Sequence, residues 1–185
     1  PEGEEIHCDE FGRVKVHFHW DRESKMDDDS SCWIHVSQTW GGAGYGGSQL
    51  PRVGQEVIIE FLGGDPDRPI IIGRVYTALQ KTPYALPANK TQTILKSSST
   101  GGTGGYNEIV MEDKAGSELM RIRAEKDRSA LVNHNCSTNV GNNRSTAVGG
   151  HGSLRVKKDR NVAVGGRQDT MVKGECTLGA GGSLT

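Results

Sequence analysis

The clearest hydrophobic pattern in the chain is a valine every eight residues, at Val132, Val140, Val148, Val156, Val164 and Val172. Between residues 125 and 185 only Val162 lies outside this register. Chance placement would give such a run about once in several thousand trials, so the segment is a true repeat. Two residues before each valine stand Ala130, Thr138, Thr146, Leu154, Val162 and Thr170, with Leu178 continuing the series. All are small, β-branched or aliphatic, and two same-side positions separated by one residue make one short strand. Gly141, Gly149 and Gly165 follow the valine in three copies and Asn133 in a fourth. These residues accept the positive φ of a sharp corner. Lys157 and Lys173 depart from that rule and leave the corner geometry of their two copies open.

One strand and one corner bury about two side chains, too few to offset the entropy of ordering eight residues in a lone chain. Partners must complete the core. If each of three chains supplies one face of a triangular prism, the valines stack along a threefold axis and every strand pairs with strands of neighbouring chains. Each octad then advances about 4.8 Å, and six or seven make a shaft roughly 30 to 35 Å long. Outward positions such as Asn142, Asn143, Arg144, Lys158, Asp159 and Arg160 stay wet. A single-chain parallel β-helix is the alternative, but its coils need about 20 residues and a broader apolar interior.

Upstream the period changes to two. In Val14-Lys15-Val16-His17-Phe18-His19-Trp20 the even positions are apolar and the odd ones polar, as in a strand with one buried face. Trp33 to Val36, Val57 to Leu62 and Pro69 to Tyr76 supply further strands separated by turn residues. Short strands without helical periodicity fit a small, nearly closed barrel such as an OB-fold. The expected fold is therefore all-β, an OB-fold barrel over 1–76 and an intertwined trimeric β-helix over 106–185. Residues 77–105, running from Lys81-Thr82-Pro83 into Ser97-Ser98-Ser99-Thr100-Gly101-Gly102, read as a linker, extended first and flexible after. Strands resume at Tyr106 to Glu112 and Glu118 to Ala124.

Composition agrees with repetition rather than one large core: 34% of residues are hydrophobic, 5% aromatic, and 26 are glycine. A formal charge of −1 provides no global field toward nucleic acid or an anionic membrane. Cys8, Cys32, Cys136 and Cys176 are widely spaced, which reads as reduced thiols in a chain folded in the cytoplasm. There is no basic and apolar leader, so export by a signal peptide is not expected, and the abrupt start suggests a fragment of a longer protein.

Motifs for chemistry fail on context. Gly42 to Gly47 satisfies GxGxxG, but Ser48-Gln49-Leu50-Pro51 cannot open the required helix, so a glycine loop between strands is expected. His17 and His19 alternate with apolar residues on a strand, and with Cys32 and His35 they form no closed four-ligand spacing. Asp27, Asp28 and Asp29 read as a solvated loop, not as tuned acids. Asn89-Lys90-Thr91 and Asn143-Arg144-Ser145 match glycosylation acceptors, a common chance pattern. Trp20, Trp33, Trp40 and Tyr45 lack the basic groove that base stacking needs and are expected in core or interface packing. No catalytic, cofactor-binding or metal residue is assigned.

Several long motifs resemble one family. Asp9-Glu10-Phe11-Gly12-Arg13-Val14-Lys15-Val16, Phe18-His19-Trp20-Asp21-Arg22, Ser31-Cys32-Trp33, Pro51-Arg52-Val53-Gly54-Gln55-Glu56-Val57 and Gly64-Asp65-Pro66-Asp67-Arg68-Pro69-Ile70 are similar to the core of the VgrG valine-glycine repeat proteins of the type VI secretion system. Tyr106-Asn107-Glu108-Ile109 and Glu112-Asp113-Lys114-Ala115-Gly116 resemble the family's junction between barrel and shaft. The resemblance implies a non-enzymatic homotrimeric spike that sits on a tube of Hcp, carries a PAAR-type tip and effectors at its C-terminal end, and transiently pierces a target membrane. It also implies assembly in the bacterial cytoplasm, secretion through the type VI system, a hub-like part preceding this region, and no nucleic-acid partner. Two other readings are an OB-type nucleic-acid or carbohydrate binding module on a trimerising stalk, and a cell-wall hydrolase. The linker is too short to hold a lysozyme-like domain.

Overall fold

The computed structural model describes residues 3–177 and 179, so Leu178 lies outside the described residues. The chain divides into two compact units, one ending at Leu131 and one beginning at Val132.

The first unit contains every regular strand among the described residues. β1 (His35–Val36), β4 (Val57–Phe61) and β5 (Pro69–Arg74) form one sheet in the order β1-β5-β4. β1 runs parallel to β5, with His35 opposite Ile70, and β4 runs antiparallel to it with a register shift between Ile58 and Ile59. The segment around Val14 joins through a bridge to Ile34, closed by two backbone hydrogen bonds of 3.0 and 2.8 Å. Val14, Ile34 and Ile71 are buried at the centre, and Val16, Phe18, Val36, Val57 and Ile59 pack around them. A mostly antiparallel, partly open barrel with one parallel pair follows from these pairings.

Val14, Val16 and Phe18 pack on the core as expected, but Lys15 and His17 between them are half-buried too and only Val14 is bridged, so no regular strand with a wet face forms here. The chain turns at His19 and Trp20, so Trp20 is exposed and lies stacked on Phe18, ring centroids 4.5 Å apart, instead of entering the core. Trp40 and Tyr45 are also exposed. Trp40 precedes β2 (Gly41–Gly42) and Tyr45 opens β3 (Tyr45–Gly46) of a short hairpin, which accounts for the GxGxxG spacing. Gly46 has φ 138°, and a Cβ there would lie 2.6 Å from the Trp40 carbonyl oxygen, so only glycine fits this turn.

Residues 77–105 are not simply a linker. β6 (Gln92–Lys96) pairs antiparallel with β7 (Glu108–Glu112), which pairs with β8 (Leu119–Arg123) in a second three-stranded sheet. The Ser-Gly run expected to be flexible is the hairpin loop between β6 and β7. Its stem is closed by Ser97 N–H to Asn107 O (2.9 Å) and Ser99 N–H to Gly105 O (2.8 Å). Its tip is held from outside: the Gly101 N–H donates to Glu5 Oε1 (2.6 Å), and Arg52 donates to both Ser98 O (2.6 Å) and Glu5 Oε2 (3.2 Å). Long-range partners fix a segment whose composition alone reads as mobile.

Candidate assembly surfaces

In the second unit the octad has a direct structural counterpart. The backbone bends at residues 133–134, 141–142, 149–150, 157–158, 165–166 and 173–174, immediately after each valine of the register. A further bend at 125–126 extends the period one octad upstream. Corners therefore form at Lys157 and Lys173 as they do at Gly141, Gly149 and Gly165. None of these five residues, nor Asn133, has a positive φ. The expected left-handed corner is corrected by this geometry. The bend uses ordinary backbone angles, which is why lysine and asparagine occupy it as readily as glycine.

Between bends the chain is extended and open. Among the described residues from 126 onward, no backbone amide donates to a backbone carbonyl of the same chain. Val132, Val140, Val148, Val156, Val164 and Val172 are 46 to 59% exposed, against 86% for Leu131 and 88% for Met171. The valines recur at one position of each octad and so fall on one exposed stripe. Leu154 and Val162, two positions ahead of a valine, are exposed, as are Thr138, Thr146 and Thr170. A lone chain leaves both its backbone groups and its apolar stripe without protein partners, an arrangement that segments of regular structure avoid when complete.

The second sheet presents a related imbalance. Register aligns Leu95, Ile109 and Ile122 across the three strands, and Thr93, Met111 and Met120 beside them. These six residues lie on one face by strand alternation, and all are exposed. The opposite face buries Val110 and, unexpectedly, the charged Glu108, which is 3% exposed. Tyr84 donates to Glu108 Oε1 at 2.5 Å and Arg121 to Oε2 at 2.9 Å. Lys96 lies over the rings of Tyr84 and Tyr106, and Arg123 over Tyr106. Burial works against ionisation of Glu108, but the hydrogen bonds from Tyr84 and Arg121 outweigh it and hold the carboxyl below its ordinary value. The bond to that carboxylate raises the Tyr84 phenol, and the Arg121 guanidinium is likewise raised.

Sequence reasoning missed Glu108, Tyr84 and Arg121 altogether. The available signal was the run Glu108-Ile109-Val110-Met111-Glu112, in which Ile109 and Met111 share the face that the chain itself does not cover while Val110 lies with Glu108 on the other. The other candidate residues do not converge. His17 Nε2 lies 3.2 Å from Asp21 O, His19 is 3.9 Å from Glu56, and among the described residues no group of three or more His, Cys, Asp or Glu is placed to hold a metal. Cys8, Cys32, Cys136 and Cys176 are free and exposed.

Comparison with known proteins adds two family matches. Residues 6–76 match the type VI secretion system/phage-baseplate injector OB domain. Residues 92–185 match the bacteriophage T4 gp5 C-terminal trimerisation domain, a span that takes in both the second sheet and the octads. The chain is 59% identical over 143 residues to the type VI secretion system spike protein VgrG1a of Pseudomonas aeruginosa, covering 76% of this chain and 22% of that protein. It is 56% identical over 134 residues to the spike protein VgrG3 of Vibrio cholerae, covering 72% of this chain and 13% of that protein. A third relative, the actin cross-linking toxin VgrG1 of Vibrio cholerae, is 51% identical over 144 residues, 78% of this chain and 13% of its own length. The chain thus spans less than a quarter of the length of each of these relatives.

Proposed function

We infer the role of this chain from the premise that it belongs to the VgrG family of type VI secretion system spike proteins, with an injector OB domain followed by a gp5-type trimerisation domain. Three copies wind their octads into one shaft, with Val132, Val140, Val148, Val156, Val164 and Val172 facing the threefold axis. Thr138, Thr146, Leu154, Val162 and Thr170 share that interior. The observation that carries this reading is the exact match of bend period to valine period in a chain whose extended backbone has no partners of its own. Strands from neighbouring copies supply the missing hydrogen bonds, and a closed prism leaves no strand edge open.

The exposed face of the second sheet takes part in the same assembly. Leu95, Ile109, Met111, Met120 and Ile122 lie within the segment matching the trimerisation domain, and three such faces turned toward one axis would cover one another. Glu108, Arg121 and Tyr84 brace the other face and keep each sheet in register for that packing.

A shaft hydrogen-bonded across three chains resists bending and buckling, which suits a mechanical spike driven through a membrane by the contractile secretion machine. In that role the chain itself does no chemistry. We propose further that an Hcp tube stands at its base and a PAAR-type tip and effectors beyond the shaft, with assembly in the cytoplasm before firing; the support for this is the family membership. A barrel that binds nucleic acid is disfavoured by charge: residues 1–76 carry 7 Lys and Arg against 14 Asp and Glu. Light scattering on the purified chain tests the central point. A mass of three copies is expected, and a monodisperse monomer would overturn it.

A further inference from the structure

Charge is divided unevenly along this nearly neutral chain. Residues 132–185 carry seven Lys or Arg and three Asp or Glu, a net charge of +4, whereas residues 1–131 carry −5. Six of the seven, Arg144, Arg155, Lys157, Lys158, Arg160 and Arg167, fall within three octads in which Asp159 is the sole acid. All six are exposed. The ion pair seen in this unit among the described residues is Arg167 with Asp169, at 2.7 Å, so most of the belt has no internal counter-charge. Arg155 precedes Val156 on the extended stretch, and alternation directs it to the side opposite that valine. Lys157 and Lys158 form a bend, which becomes a corner of the prism if three chains assemble.

We propose that this belt is an interaction surface for anionic lipid headgroups. The inference rests on the trimer reading: three copies place the same cations on all three faces, so the field is that of a ring and not of a one-sided groove. Three octads rise only about 14 Å at one strand spacing each. A charged surface acts over a Debye length of about 8 Å at physiological salt, so most of the belt engages a headgroup layer at once. A nucleic-acid duplex favours a basic groove or face, while a ring of cations fits the headgroups lining a hole around the shaft. Guanidinium and ammonium groups meet lipid phosphate oxygens there, as juxtamembrane basic clusters do at an anionic leaflet.

The test is co-sedimentation of the full chain with vesicles of phosphatidylglycerol and phosphatidylcholine in equal parts, against vesicles of phosphatidylcholine alone. Expected is binding at least about tenfold tighter to the anionic vesicles at about 50 mM salt, and its loss at about 500 mM. The triple variant K157Q/K158Q/R160Q should reduce that binding about tenfold or more while keeping the mass of three copies. Should that variant lose its trimer, R144Q/R155Q provides the same comparison, and the salt dependence of the native chain stands independently. Equal binding to both vesicle types, no binding, or displacement by duplex DNA at equal phosphate concentration would overturn the lipid assignment. A native chain that is not trimeric would instead overturn the shaft on which it rests.

Discussion

Tyr84 donates its phenolic proton to Glu108 across 2.5 Å, although 24 positions separate the two residues in sequence. Arg121 completes the site from the next strand, and the three side chains pin a non-strand segment to the middle of the second sheet. Glu108→Gln should destabilise the chain by about 1–3 kcal/mol, since a buried charge-assisted pair is lost and Arg121 keeps no equal acceptor. Tyr84→Phe should cost less by itself. In a double-mutant cycle followed by urea denaturation, the two losses should fall short of additivity, because both act on one contact.

The same site predicts how stability changes with pH. Glu108 ionises more readily in the folded chain than at its ordinary value of 4.5, so the unfolded chain takes up the proton first as pH falls. Its contribution is complete above that ordinary value and is lost as pH drops through the lower, folded one. Asp9, Glu112 and Glu118 are lowered as well and act with the same sign. Tyr84 is raised above 10.0 by its bond to Glu108, so its contribution holds below that value and disappears as pH rises through the folded one. Urea midpoints across pH should therefore show a plateau with both an acid and an alkaline limb, and Glu108→Gln should flatten both.

Corner geometry yields a prediction that runs against the glycine pattern of the sequence. If corners needed positive φ, Lys157→Gly would restore the pattern and raise stability. Because Lys157 bends with ordinary angles, glycine only adds freedom to the unfolded chain, and Lys157→Gly should lower stability by about 0.4–1 kcal/mol. Gly116 supplies the contrast. It turns between β7 and β8 with φ 77°, so Gly116→Ala should cost about 1–2 kcal/mol. Thermal melts of the two variants against the native chain decide the sign.

These cases separate what local sequence conveys from what it does not. The valine spacing was legible because the octad is set by its own eight residues, and the bends follow it copy by copy. The barrel strands β4 and β5 were legible from their apolar runs, whereas the segment from Val14 alternates in sequence but forms only one bridge before the turn at His19 and Trp20. β6 was missed because the Ser-Gly run after Lys96 reads as flexible until Glu5 and Arg52, both far away in sequence, are seen to hold it. Glu108 was missed for the same reason: a charged residue can be buried only where partners from Tyr84 and Arg121 meet it, and a single-sequence pattern carries no record of such meetings.

The shaft assignment is most exposed to test at two adjacent valines. Val148 and Val156 occupy the same position in successive octads and so fall on one stripe. If that stripe lines a threefold axis, Val148→Asp with Val156→Asp places three carboxylates in each of two neighbouring layers, with no cation on the axis to pair them. Burying each charge costs roughly several kcal/mol, repeated in every chain. Sedimentation should then report monomers or aggregates in place of three copies. Arg155→Asp, on the opposite side of the same strand, should leave the mass unchanged. A trimer that survives the valine pair would show that these residues face solvent and that another side of the octad forms the core.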